Sequence, residues 1–183
     1  MQLLTSRLLL RPYEPADAPA FFQLLDQHRA RLRPAFPDRT NAVLDVADAA
    51  RALADFADDW RTGRFYVLGI WGLTEDEYLG DICLMPKPAG DAEIGYYLAP
   101  EAEGQGYARE ALAAVVTFGF DTVGARRLLI RCYADNLRAH AVAEAVGFGL
   151  LRTTPPPHRH WWSKAAPPVP AIRHYALVKP DGS

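Results

Sequence analysis

The chain has only two cysteines among its 183 residues, Cys83 and Cys132, far apart and without CxxC spacing. That leaves little basis for a disulfide framework or a cysteine zinc site, and free thiols in the reducing cytoplasm are the expectation. Serine is scarcer than its usual abundance: Ser6, Ser163 and Ser183 are the whole set, and no GxSxG turn is present. A serine nucleophile on a strained elbow is therefore not expected. No apolar run approaches the roughly 20 residues that span a bilayer. The opening MQLLTSRLLLRPY is apolar, yet Arg7 and Arg11 interrupt it and no small-residue cleavage site follows, so a signal peptide is not expected. An excess of one charge is lacking as well, since 20 basic and 22 acidic residues leave a net charge of -2. Such a balance offers no global grip on a nucleic-acid backbone or an anionic membrane. There is no internal repeat.

Half of the residues are hydrophobic, and 183 residues fit one globular domain, 1–183, able to bury a real core. Arg7 to Tyr13 reads as a first strand closed by Pro12. Ala18, Phe21, Phe22, Leu25 and His28 then share one helical face. The segment RARLRPAFPDRT carries four arginines and two prolines and reads as a structured loop. A second helix follows, with Val46, Ala49, Leu53, Phe56 and Trp60 on its apolar face, Thr40 or Asn41 as its cap and Gly63 as its stop. Its aspartates Asp48, Asp55 and Asp59 read as a solvated face. Phe65 to Trp71, Tyr78 to Met85 and Ala92 to Leu98 form an antiparallel meander, and a strong amphipathic helix begins at Tyr107. After it come the strand RRLLIRCYADN, a short helix stopped at Gly147, and the final strand IRHYALVK. A proline-dense piece lies between that helix and the last strand and cannot be regular sheet throughout.

The junction DAEIGYYLAPEAEGQGYAREAL carries the most chemistry. A strand that runs through a glycine pair into a helix gathers unpaired N–H groups and the positive end of the helix dipole at one point. Such a point suits a phosphate, and glycine lets its oxygens reach the backbone. The pair fits neither a dinucleotide fingerprint, which would want Gly or Ala at Arg109, nor a Walker loop. A plain turn at Gly104 and Gly106 is the competing reading, because Gly147 and Gly149 repeat the spacing as an ordinary helix stop.

Together, LLTSRLLLRPYEPADA, AEIGYYLAPEAEGQGYAREAL, and ADNLRAHAVAEAVGF followed by IRHYALVK resemble, in order and spacing, the GNAT N-acetyltransferase superfamily, with the RimJ/RimL-like branch nearest. The resemblance implies an α/β (α+β) fold: a mixed, mostly antiparallel twisted sheet of six or seven strands, splayed at its centre between the AEIGYYL and LLIRCY strands, with about four flanking helices. It implies acetyl-CoA as cosubstrate and no metal. The pyrophosphate would meet the backbone of Gly104, Gln105, Gly106, Tyr107 and Ala108, and pantetheine would pair along Tyr97, Leu98 and Ala99. Asn136 stands on the cofactor side of the cleft, or caps the helix after it. Glu101 replaces the usual Gln or Arg and Glu103 adds a second negative charge, for which Arg109 and Arg138 could compensate.

In the implied reaction an amine loses its proton and attacks the thioester directly, while a strand N–H near Leu98 receives the oxyanion. Glu93 and Asp81 are the candidate bases, set against a plain reading of each as a solvent-facing strand residue. His158 and His160 are alternatives. Their His-x-His spacing lacks a third metal ligand, so an exposed edge is the simpler account. The family's Asn-x-x-Ser becomes Asn136-Leu137-Arg138-Ala139, and its usual tyrosine is Ala143. Both customary acids are absent, which leaves Tyr133 as a substitute. The acceptor would enter over Arg29 to Arg39, the second helix and Thr153 to Ala171, where Trp161 and Trp162 cover it or join a dimer. A protein amino terminus, a polyamine, an aminoglycoside or an amino-acid-like amine all fit, in a cytoplasmic monomer or homodimer that binds neither nucleic acid nor membrane. The competing class is a degenerate CoA-binding module without turnover.

Overall fold

The computed structural model describes residues 1–74, 77–155 and 170–179. The leucine-rich start makes two short strands, β1 (Leu3–Leu4) and β2 (Leu8–Arg11), and alternation places Leu8 and Leu10 wholly inside. In α1 (Ala18–Gln27), Ala18, Phe21 and Leu25 are buried as their spacing requires, with Leu24 beside them. The arginine-rich linker departs from the expected loop, because it contains two short helices, α2 (Arg29–Leu32) and α3 (Pro37–Ala42). Pro37 occupies the first position of α3, where its missing N–H and fixed φ cost nothing.

Helix α4 (Val46–Thr62) is capped by Asp45, whose carboxylate accepts the Asp48 N–H at 2.7 Å. Thr40 and Asn41, the caps expected from sequence, belong to α3 instead, and the Thr40 hydroxyl donates to the Phe36 and Pro37 carbonyls. Gly63 ends α4 in the left-handed region at φ 69°. Strands β3 (Tyr66–Gly72), β4 (Tyr78–Pro86) and β5 (Asp91–Leu98) form the meander, followed by α5 (Tyr107–Asp121), β6 (Arg127–Tyr133), α6 (Leu137–Ala145), β7 (Gly149–Thr154) and β8 (Ile172–Val178).

Among the described residues, eight strands lie in one sheet, in the order β1-β2-β3-β4-β5-β6-β8-β7. That is one or two more than expected. The additions are β1, two residues long, and β7, whose residues are all exposed, so neither has a buried face to write a pattern into the sequence. Two cores sandwich the sheet. Ile82, Leu84, Ile94, Leu112, Val115 and Phe118 pack with α5 on one side, and Phe21, Leu25, Leu53 and Tyr97 pack with α1 and α4 on the other. Each such side chain contributes about 1.5–3 kcal/mol by leaving water.

Every neighbouring pair is antiparallel except β5 with β6. That parallel pairing lasts only from Asp91 opposite Arg127 to Ile94 opposite Ile130. Beyond it, β5 continues to Leu98 on β4 and β6 continues to Tyr133 on β8. The central strands thus part company at Ile94, and the expected splay opens there.

Candidate active site

Backbone geometry sets what the splay presents. The Ala99 N–H donates to the Leu79 carbonyl of the β4 segment at 2.8 Å. Successive residues of a strand turn their peptide groups to opposite neighbours, so Leu98 and Tyr96 direct theirs away from β4, into the gap that β6 has vacated. An edge of this kind can accept a further extended chain, and its N–H groups can polarise a carbonyl laid against them.

The far end of the gap is the start of α5. Gly106 precedes the helix at φ 85°, Gly104 lies at φ 78°, and no side chain caps the helix. A Cβ built on Gly104 would meet nothing within 4 Å. The first N–H groups of α5 therefore have no side-chain cap, and with the dipole behind them they suit an anion. A shallow cavity of about 440 Å³ opens beside this turn, with Arg7, Gly106, Arg109 and Glu110 in its lining.

The turn is braced from below. Glu110, in the first turn of α5, accepts the Thr5 hydroxyl at 2.7 Å, the Ser6 hydroxyl and Arg7 N–H at 2.9 Å each, and the Arg7 guanidinium at 2.8 Å. Arg7 also donates to the Gln105 carbonyl at 3.0 Å and lies 4.6 Å from the Tyr107 ring centre. Burial opposes the Glu110 charge, but the Thr5 and Arg7 hydrogen bonds outweigh it and bring the carboxyl from 4.5 to about 2. A depressed carboxyl stabilises the fold above its unfolded value near 4.5, and that contribution fades as the pH falls toward 2. Glu110→Gln is thus expected to cost about 1–2 kcal/mol near neutrality. In urea melts the gap from wild type should close between pH 5 and pH 2; a gap independent of pH would contradict the bracing role.

The two acidic residues of the loop differ in setting. Glu103 is partly buried, and its two carboxylate oxygens take Arg31 from α2 and Arg138 from α6, one each. Glu101 points to solvent, with His28 at 3.8 Å. Asn136 caps α6, its side chain accepting the Ala139 N–H at 3.1 Å. Arg109 is exposed on α5.

The candidate bases are not brought together. Asp81 has no solvent exposure. One of its oxygens takes the Arg39 guanidinium and the Tyr13 hydroxyl, the latter at 3.1 Å, while the other is buried without a hydrogen-bond partner. Tyr13 and Tyr78 share a hydrogen bond at 2.6 Å. Around the guanidinium stand the rings of Phe56, Tyr97, Phe36 and Phe21, at 5.1, 5.7, 5.8 and 6.0 Å. Burial first, and the Asp81 charge second, hold the Tyr13 and Tyr97 hydroxyls far above the ordinary tyrosine range. Asp81 is accordingly the anchor of a buried ion pair and not the solvent-reachable base that its strand position suggests.

Glu93 lies where β5 and β6 still pair and binds Arg131 at 2.6 Å and Lys87 at 3.7 Å. It retains some exposure and sits one residue before the splay. Tyr133 donates its hydroxyl to the Pro34 carbonyl at 2.8 Å, tying the end of β6 to the link between α2 and α3. His158, His160, Trp161 and Trp162 lie outside the described residues. Among the described residues no group of three or more His, Cys, Asp or Glu could hold a metal ion, and no helix is long and apolar enough to cross a membrane.

Sequence reasoning missed Arg39 and Tyr13, the partners of Asp81, and Arg31, a partner of Glu103. All three are distant in sequence from the residues they hold, and their charges or rings carry no local pattern.

Three comparisons bear on this geometry. A family profile described as an acetyltransferase (GNAT) domain matches residues 7–149. An uncharacterized N-acetyltransferase of Bacillus subtilis, YnaD, is 24% identical over 169 residues, covering 90% of this chain and 94% of that one. The ribosomal-protein-serine acetyltransferase of Escherichia coli is 37% identical over 78 residues, 42% of this chain and 44% of its own. Among solved structures, RimL, a ribosomal alpha-N-protein acetyltransferase in complex with coenzyme A, superposes with a TM-score of 0.83 at 22% identity, covering 97% of this chain and 98% of the other.

Proposed function

Because this chain belongs to the GNAT acetyltransferase family and its reaction is acetyl transfer from acetyl-CoA to an amine, we propose that the splay holds the cofactor and that the acceptor is a protein amino terminus. The carrying observation is that the parallel pairing stops at Ile94 and Ile130, opening a gap whose far end is an uncapped helix start. Acetyl-CoA lays its pyrophosphate on the N–H groups from Gly104 to Ala108 and its pantetheine along Tyr97, Leu98 and Ala99. The Tyr96 N–H, turned into the gap like that of Leu98, polarises the thioester carbonyl. Glu93, the partly buried carboxylate one residue before the splay, accepts the ammonium proton through water. On this reading Arg138 and Arg31 exchange Glu103 for a cofactor phosphate, so the loop's acidity is spent inside the free protein.

A polypeptide amino terminus is favoured because two of the similar proteins are named for ribosomal-protein substrates. The chain acts as a single domain in the cytoplasm. Family membership favours turnover over a binding module that has lost its chemistry.

Thiol release from acetyl-CoA tests the proposal, with peptides bearing a free α-amine compared against the same peptides blocked at that amine, polyamines and aminoglycosides. Release that depends on the free α-amine is expected. Release with polyamines or aminoglycosides alone would move the acceptor class, and binding without release to any of them would return the protein to a sensor.

A further inference from the structure

Tyr96 is a tyrosine whose hydroxyl is buried without a hydrogen-bond partner. A buried O–H left unpaired costs on the order of 1–3 kcal/mol, so a group that will accept from it is the natural explanation. Its place in the fold narrows what that group is. Tyr96 belongs to the part of β5 beyond Ile94, where β6 no longer pairs. Its ring packs with the core on the α5 and α6 side, while Tyr97 points to the opposite core. The ionisable neighbour of its hydroxyl is the Cys132 thiol, from the diverging end of β6. The hydroxyl therefore lies on the α5 and α6 side of the sheet, beside the stretch where the two strands have separated.

We infer that Tyr96 is the hydrogen-bond donor to the sulfur of the departing coenzyme A. The inference rests on the cofactor placement proposed above, which runs the molecule inward from the helix start. With pyrophosphate at Gly104 to Ala108 and pantetheine along Ala99 to Tyr97, the sulfur end comes next, beside Tyr96, since each strand residue advances about 3.3 Å. The other tyrosine considered for this role, Tyr133, already gives its proton to the Pro34 carbonyl, and the positions of the family's usual acids carry Ala139 and Ala143.

The chemistry balances without a covalent intermediate. The amine nitrogen bonds to the acetyl carbon and the carbonyl becomes an oxyanion. When that oxyanion collapses, the C–S bond breaks and its electron pair stays on sulfur. Tyr96 donates a hydrogen bond to the thiolate and keeps its own proton. An ordinary tyrosine is already a weaker acid than a thiol, at roughly 10 against 8.5, and burial, followed by Cys132, pushes Tyr96 further up. The amine's proton passes to the base or to solvent, and the thiolate is later protonated by water.

The test needs no knowledge of the acceptor. Coenzyme A is titrated from pH 6 to pH 10 in complex with wild type and with Tyr96→Phe, following thiolate absorbance as a difference from each protein alone, which removes Cys83 and Cys132. A hydrogen bond to a charged group predicts that the bound thiol's acid dissociation constant is about 10- to 100-fold larger in wild type than in Y96F. The kcat for transfer to any accepted amine should fall by a similar factor while acetyl-CoA affinity holds within about threefold. A purely structural role would shift thermal melting or affinity and leave the thiol titration unchanged. Equal thiol titrations with coenzyme A bound to both proteins would overturn the inference. If wild type fails to bind coenzyme A, the cofactor placement fails first and the inference with it.

Discussion

Gly104→Asn is expected to fold as wild type does and to bind acetyl-CoA at least about 100-fold more weakly. The backbone at Gly104 is left-handed, at φ 78°, a conformation that asparagine tolerates better than other side chains. Nothing stands within 4 Å of the Cβ position, so the free protein has room for the substitution and stability should fall by no more than about 1 kcal/mol. On the proposed placement the same room is filled by phosphate in the complex. Displacing it forfeits two or more backbone hydrogen bonds to a charged group, each worth about 1.5–3 kcal/mol. Calorimetric titration paired with a thermal melt reads both quantities. Unchanged affinity in a folded variant would remove the phosphate from this turn.

The second large effect concerns stability. Arg39→Met strands the Asp81 carboxylate in a site with no solvent exposure, leaving one oxygen without a partner and the other with the Tyr13 hydroxyl alone. Removing one member of a buried pair costs about 3–5 kcal/mol, a large share of a domain's typical 5–15 kcal/mol. In the double variant Arg39→Met with Asp81→Asn no charge remains, and most of that loss should return. Urea unfolding measures the cycle. A loss below about 1 kcal/mol for the single variant would mean that water already reaches Asp81 and the aromatic box is open. Because Arg39 pins α3 to β4, surviving activity of R39M should show a raised KM for the acceptor more than for acetyl-CoA.

How far the sequence disclosed this molecule depended on whether the deciding interaction was local. Helix α5 announced itself because Ala111, Leu112, Val115 and Phe118 recur on one face. The splay was reached through the likeness of three segments to a family, and the register at Ile94 and Ile130 places its apex. Gly63 wrote the end of α4 into the chain, whereas the start fell to Asp45 in place of Thr40 or Asn41, since all three residue types can cap. Helices α2 and α3 are too short for a period, and prolines around them read as breaks.

The candidate site was legible at its backbone and obscure at its side chains. Glycines and strand order located the turn and the gap. Nothing near Asp81 in the sequence marks it for Arg39, 42 residues away, and the alternation of β4 alone could not separate a buried carboxylate from an accessible one. Of the two arginines expected to answer the loop's charge, Arg138 meets Glu103 from α6, and its companion there is Arg31 from α2. Tyr96 and Tyr97 are adjacent aromatics in one strand, and only their opposite cores reveal that one faces the α5 side and the other the Arg39 box.

The central claim is the position of acetyl-CoA, and backbone amide spectra recorded during titration with acetyl-CoA test it most directly. The account predicts that the largest shifts fall on Gly104 to Ala108 and on Tyr96 to Ala99, with little change along α4. Saturable shifts confined to other parts of the chain, with those two segments silent, would contradict it.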